Sequence, residues 1–133
     1  MSTPAASLPR LAVPAALGAI AVGMLAWATV LGATLPSTYA AERWGLAWVG
    51  LDLALAGLFA TTGWLVRRQD PLAPGLALAT ATALLADAWF DCSTAGSADL
   101  MGAVLMASVE LPAAAVLAGW AVRTTRRRET VGA

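Results

Sequence analysis

Residues 72–95 read LAPGLALATATALLADAWFDCSTA. No side chain from Leu72 to Ala86 carries a charge, and then Asp87 and Asp91 follow in quick succession. A stretch of this length and apolarity crosses a bilayer as a helix, for which about 20 mostly apolar residues are needed. Ala and Leu dominate it, and both are good helix formers. Short alternating segments of the kind that build membrane β-barrels are absent.

Working outward, three more blocks of the same kind appear, at residues 11–33, 44–66 and 100–122. The whole chain of 133 residues is 59% hydrophobic and 12% charged. Its mean hydropathy is +0.74. Soluble domains carry about 25% charged residues, so a soluble globular fold is excluded, and disorder with it. The fold class expected is all-α: an integral membrane, up-down-up-down four-helix bundle. The short connections 35–39, 67–71 and 93–99 place each helix antiparallel beside the next.

Eight basic and eight acidic residues cancel, and every basic residue is Arg. The absence of Lys excludes a Schiff-base site or a lysine nucleophile. The absence of His removes the commonest metal ligand and general base. Cys92, the single cysteine, excludes an internal disulfide and a thiolate cage. No cofactor is implied, no metal-ligand set is assigned, and no nucleic-acid partner is expected.

The arginines orient the chain. Arg10, the pair Arg67 and Arg68, and Arg123, Arg126, Arg127 and Arg128 fall on one side of a four-span bundle. The other side has only Arg43. The positive-inside rule puts both termini in the cytoplasm of a multi-pass plasma-membrane protein. The first block exceeds the roughly 7–15 residues of a signal-peptide core and only Arg10 precedes it, so a retained span is expected.

Acids inside the blocks carry the functional signal. They are Asp52, Asp87, Asp91 and Glu110. A charge at mid-bilayer costs at least about 2.5–3.5 kcal/mol on insertion scales, so intramembrane acids read as functional by default. Their depths converge. Glu110 lies near the middle of its span, Asp52 slightly outward, Asp87 about 6 Å outward of centre, and Asp91 one turn further. Asp87 and Asp91 share a face, as residues four apart do on a helix. Thr80 and Thr94 lie on that stripe. The Asp52 face carries Trp48 and Phe59, and the Glu110 face carries Asp99, Ala103, Met106 and Leu117. The first span has no acid and offers Trp27 as a wall. The reading is a narrow acidic cavity open to the outer side. Asp52, Asp87, Asp91 and Glu110 share protons in it, and Trp48, Phe59, Thr80, Met106 and Trp27 are the candidate ligand-binding residues.

The stretch Leu85-Ala-Asp87-Ala-Trp89-Phe90-Asp91, with Leu51-Asp52 before it and Glu110-Leu-Pro112 after it, resembles a family of small, uncharacterised four-helix actinobacterial membrane proteins. The Ala- and Arg-rich, Lys-free composition suits that resemblance. It implies the fold but brings no activity. Small multidrug exporters are similar in size but usually carry a key Glu in the first helix, where this chain has none. Sterol isomerases set carboxylates among aromatics in a helical bundle, which is an analogy of site chemistry only.

Three functions fit these residues. The first is binding or carriage of a cationic or protonatable lipophilic ligand. The second is intramembrane acid–base catalysis, an isomerase, cyclase or epoxide-opening reaction on a lipophilic substrate. The third is an accessory role in a homo-oligomer or with a partner membrane protein. An all-oxygen divalent cation site ranks last. The topology itself is testable by labelling single cysteines in a Cys92→Ser background. An impermeant maleimide should reach Ser37→Cys and Ser97→Cys from outside the cell, and Ser2→Cys only after permeabilisation. Labelling of Ser2→Cys in intact cells overturns the orientation.

Overall fold

The computed structural model describes residues 12–131 apart from 37 and 39. Arg10, Leu11, Ser37 and Tyr39, which enter the topology reading, lie outside the described residues. Regular structure among the described residues is entirely helical: α1 (Ala12–Thr34), α2 (Trp44–Arg67), α3 (Ala73–Thr94) and α4 (Leu100–Val131). The chain divides into two compact units, one carrying α1 and one that starts at Arg43 and carries α2, α3 and α4. Among the described residues, three helices are long and apolar enough to cross a membrane, Trp44–Arg67, Ala73–Thr94 and Leu100–Thr130, and Gly18–Thr34 is a shorter apolar helix.

Within α1, the hydroxyls of Thr29 and Thr34 donate to the carbonyls of Leu25 and Val30 one turn back. That removes both donors from an otherwise apolar surface, on which Trp27 is exposed. The same device recurs at Thr61, Thr82 and Thr94 in the other helices.

In the second unit α3 packs along α4 and also against α2. The α3–α4 seam is built of small side chains. Ala73, Ala77, Ala81, Leu84 and Ala88 are buried along α3, and Ala107, Ala114 and Ala121 along α4. Small residues let two helix backbones approach closely, which is how apolar helices associate without a hydrophobic driving force. Leu55 of α2 joins Ala81, Leu84 and Ala114 in one cluster. Outside the seam the large apolar residues point outward, with Leu53, Trp89, Met101 and Val116 all about seven-tenths exposed. Such a surface is suited to contact with lipid rather than water.

One polar bond ties α2 to α3. Thr80 Oγ1 donates to the Leu76 carbonyl at 2.9 Å, so across the seam it accepts from Thr62 Oγ1, also at 2.9 Å. Both residues are buried.

The α4 helix runs nine residues past the expected end of its span at 122. The apolar block marks the stretch suited to hydrocarbon. It does not mark where the helix ends, because Arg and Glu support helix as well as Leu does. Pro112 lies inside α4, which continues through it.

The turn between α2 and α3 closes tightly. Gln69 N–H donates to the Val66 carbonyl and Asp70 N–H to the Leu65 carbonyl. This pair of bonds is the Schellman closure of a helix C-terminus. It requires a left-handed residue at position 69, and Gln69 has φ 55°. Asp70 Oδ1 then accepts from Leu72 N–H at 2.9 Å, and the Asp70 carbonyl accepts from Arg128 Nη2 at 3.4 Å. The far end of α4 is thereby tied to the start of α3, and the two helices form a hairpin. A side chain in the left-handed region costs about 1–2 kcal/mol, offset in part by the entropy glycine loses on folding. Gln69→Gly should therefore raise stability by about 0.5–1 kcal/mol, and the β-branched Gln69→Val should lower it. Melting curves in detergent read both.

Candidate functional site

The structure places the sequence-predicted acids at three different levels of burial. Asp87 is 5% exposed and Glu110 is 9% exposed, both within the alanine seam. Their stripes bring them there. Asp87 falls on the buried face of α3 with Thr80 and Leu84, and Glu110 on the buried face of α4 with Ala107 and Ala114. The two carboxyls are close neighbours across the contact of α3 with α4. Yet Asp87 Oδ1 and Glu110 Oε2 are buried with no donor. Two ionised carboxylates accept only, so neither can serve the other. No Arg occurs between residues 43 and 67 or between residues 68 and 123, so none of α2, α3 and α4 offers a cation near mid-span. One proton held between the two carboxyls would supply the missing donor and remove one of two like charges.

Asp91, one turn from Asp87, is half-buried. It lines a cavity of about 560 Å³ at the end of the hairpin, together with Asp99, Thr94, Trp44, Trp48 and Met106. Asp52 is exposed on α2. The four acids therefore form a buried pair, a cavity-wall acid and an exposed acid.

Aromatic rings gather beside them. Trp44 and Trp48 meet edge to face with ring centroids 5.3 Å apart. Phe90 closes on Trp48 at 5.4 Å and stacks on Trp44 at 6.4 Å. A second recess, of about 370 Å³, lies between α2 and α3. Ala47, Trp48, Leu51, Trp89 and Phe90 line it with Asp87. Trp48 thus borders both spaces.

The other candidate ligand residues fall out as follows. Met106 lines the larger cavity. Thr80 is fully buried and bonded to Thr62 in the seam between α2 and α3. Phe59 is exposed on α2. Trp27 belongs to the unit that carries α1. Trp44 and Phe90 were not singled out as ligand residues from sequence. Trp44 reads as an interfacial anchor, and Phe90 falls off the Asp87–Asp91 stripe. Trp44 stands four residues before Trp48 on the same helix, so helical spacing could have found it, whereas Phe90 is found only through its contact with Trp48 across the two helices. Among the described residues, no three acidic or thiol side chains are gathered as metal ligands.

No family model, characterised protein or solved structure matches this chain.

The proton-sharing pair makes a stability prediction. Asp87→Asn keeps the shape and supplies an amide donor to Glu110, so the melting temperature in detergent should hold or rise. Asp87→Ala strands Glu110 and should cost about 1–3 kcal/mol. The double variant Asp87→Leu/Glu110→Leu should recover that loss, as apolar replacement of buried charged groups does. Equal destabilisation by Asn and Ala at position 87 overturns the shared proton.

Proposed function

We propose that this chain is a multi-pass plasma-membrane protein that binds a cationic, lipophilic ligand in an acidic cavity open to the outer side. On this reading it spans the bilayer four times, up-down-up-down, with both termini in the cytoplasm. The observation that carries the proposal is the composition of the larger cavity. Two indole rings, Trp44 and Trp48, share it with two carboxylates, Asp91 and Asp99, and no basic residue lines it. A volume of about 560 Å³ suits a small organic ligand. Indole faces attract a cation through the ring quadrupole, and the carboxylates supply the opposite charge. The Asp87–Glu110 pair, one turn deeper, acts as a proton store that couples ligand charge to pH.

A second reading, acid–base catalysis on a lipophilic substrate, is favoured by one observation. Asp87 is the only ionisable side chain in the lining of the recess between Trp48, Trp89 and Phe90. A neutral carboxyl facing apolar walls is suited to protonating an alkene or epoxide.

Binding is tested with a lipophilic quaternary ammonium probe against its uncharged isostere, using the purified chain in detergent. The cation should bind at least about tenfold more tightly than the isostere, and Trp48→Ala or Asp91→Asn should each weaken it by about tenfold. Asp99→Asn, at the wet rim where its charge is screened, should weaken binding by less than Asp91→Asn does. Equal binding of the uncharged isostere overturns the cation site and leaves the catalytic reading.

A further inference from the structure

The opposite end of the second unit holds another constellation. Two recesses flank Trp120 and Thr124 of α4. One, of about 450 Å³, is lined by Val116, Trp120, Arg123, Thr124 and Arg127. The other, of about 620 Å³, is lined by Val66, Gln69, Ala73, Trp120, Thr124 and Arg128. Each recess therefore runs from an apolar wall past an indole to at least one guanidinium.

Three further observations point to an anionic occupant. First, Thr124 is half-buried and its hydroxyl makes no hydrogen bond among the described residues, whereas every other described threonine in the four helices makes one. Second, Arg123 Nη2 lies 3.5 Å from where a Cβ on Gly119 would stand. Its guanidinium folds back one turn, toward the apolar part of the helix, as helical side chains lean. Third, the other contacts of guanidiniums at this end are not carboxylates. Arg128 donates to a backbone carbonyl, and Arg68 lies over the Trp64 ring at 4.3 Å. Depth agrees with these contacts. A span that starts at Leu100 leaves hydrocarbon after about 20 residues, at Trp120, which places the arginines among headgroups.

We propose that these two recesses form one site for an anionic phospholipid that carries two phosphodiesters, one phosphate in each recess. Arg123 and Arg127 hold the first phosphate and Arg128 the second. The free Thr124 hydroxyl donates between them, and Trp120 sits at the boundary of acyl chain and headgroup. Basic recesses at helix ends recognise such headgroups through charge and hydrogen bonds together. The site rests on the membrane reading of the chain and is independent of the cation cavity.

Native mass spectrometry of the full chain in detergent tests it, with diphosphatidylglycerol, phosphatidylglycerol at equal phosphate, and inorganic phosphate as probes. Diphosphatidylglycerol should be held about tenfold more tightly than phosphatidylglycerol. Arg127→Gln and Arg128→Gln should each weaken it by about tenfold, and Thr124→Val by a few fold. Arg126→Gln removes the same charge from the same turn but from neither recess, and should change binding by less than about twofold. An equal loss with Arg126→Gln means diffuse attraction and overturns the site. So does equal binding of the one-phosphate lipid, or displacement of the lipid by an equal concentration of inorganic phosphate. Alkaline carbonate extraction of the parent membranes separates the two readings. A chain released by carbonate overturns the membrane reading and this site with it. A retained chain that fails the lipid test overturns the site alone.

Discussion

Asp87 and Glu110 are buried in a seam made mostly of alanine, and what that pair requires constrains the rest of the second unit. A close helix approach excludes water, so a buried carboxyl has no solvent to donate to it. The chain supplies no cation near mid-span, and the backbone of a helix has no N–H to spare there. The carboxyls have only each other. Small neighbours such as Ala107 and Ala114 let the two helices come close enough for that contact. A bulkier seam would pack as well but would leave the two acids apart, each unsatisfied.

The rest of the fold separates polar chemistry into three levels. At one end Asp91 and Asp99 share a cavity with indoles. In the middle sits the buried pair. At the other end the arginines of α4 surround Trp120 and Thr124. The Asp70 turn ties this last level to the start of α3 through its bond from Arg128. Polar groups elsewhere in the helices are silenced locally by bonds to carbonyls one turn back, as at Thr61 and Thr82. Two threonines of the second unit are left without such a bond, and each faces a partner or a recess. Thr62 faces Thr80, and Thr124 faces the two basic recesses.

How much of this was legible in the sequence depends on the range of the interaction. The helices were, since apolar blocks of bilayer length set their positions to within a residue or two, apart from the C-terminal end of α4. That end extends because propensity, not hydropathy, decides where a helix stops. The pairing of Asp87 with Glu110 was partly legible. Helical spacing placed each acid on a face, and depth brought them to one band. Spacing cannot say which faces meet, and so the exposure of Asp52 was not readable. Thr80 shares the stripe of Asp87, yet it belongs to the bond with Thr62, a contact between residues 18 apart in the chain. In the aromatic group, Trp44 and Trp48 stand four apart on α2 and were legible as a pair, but the approach of Phe90 to them crosses between helices and has no local signature. The Gln69 turn was hidden for a different reason, because a left-handed position occupied by a residue other than glycine or asparagine gives no compositional warning.

The burial pattern also bears on the direction of access. Toward the cavity the seam loosens, with Asp91 half-buried and Thr94 exposed at the end of α3. Toward the basic end it tightens. Thr80, Ala77 and Ala121 are wholly inaccessible, and Ala73 nearly so. No ionisable side chain is buried below the Asp87–Glu110 pair on that side. A proton or cation reaching the pair from the cavity would therefore meet a closed apolar seam beyond it, lined by Ala77, Ala73 and Ala121. Desolvating a charge in such a seam costs several kcal/mol with nothing on the way to offset it. Passage straight through the α3–α4 hairpin is thereby opposed, and the geometry favours a pocket that loads and empties from one mouth.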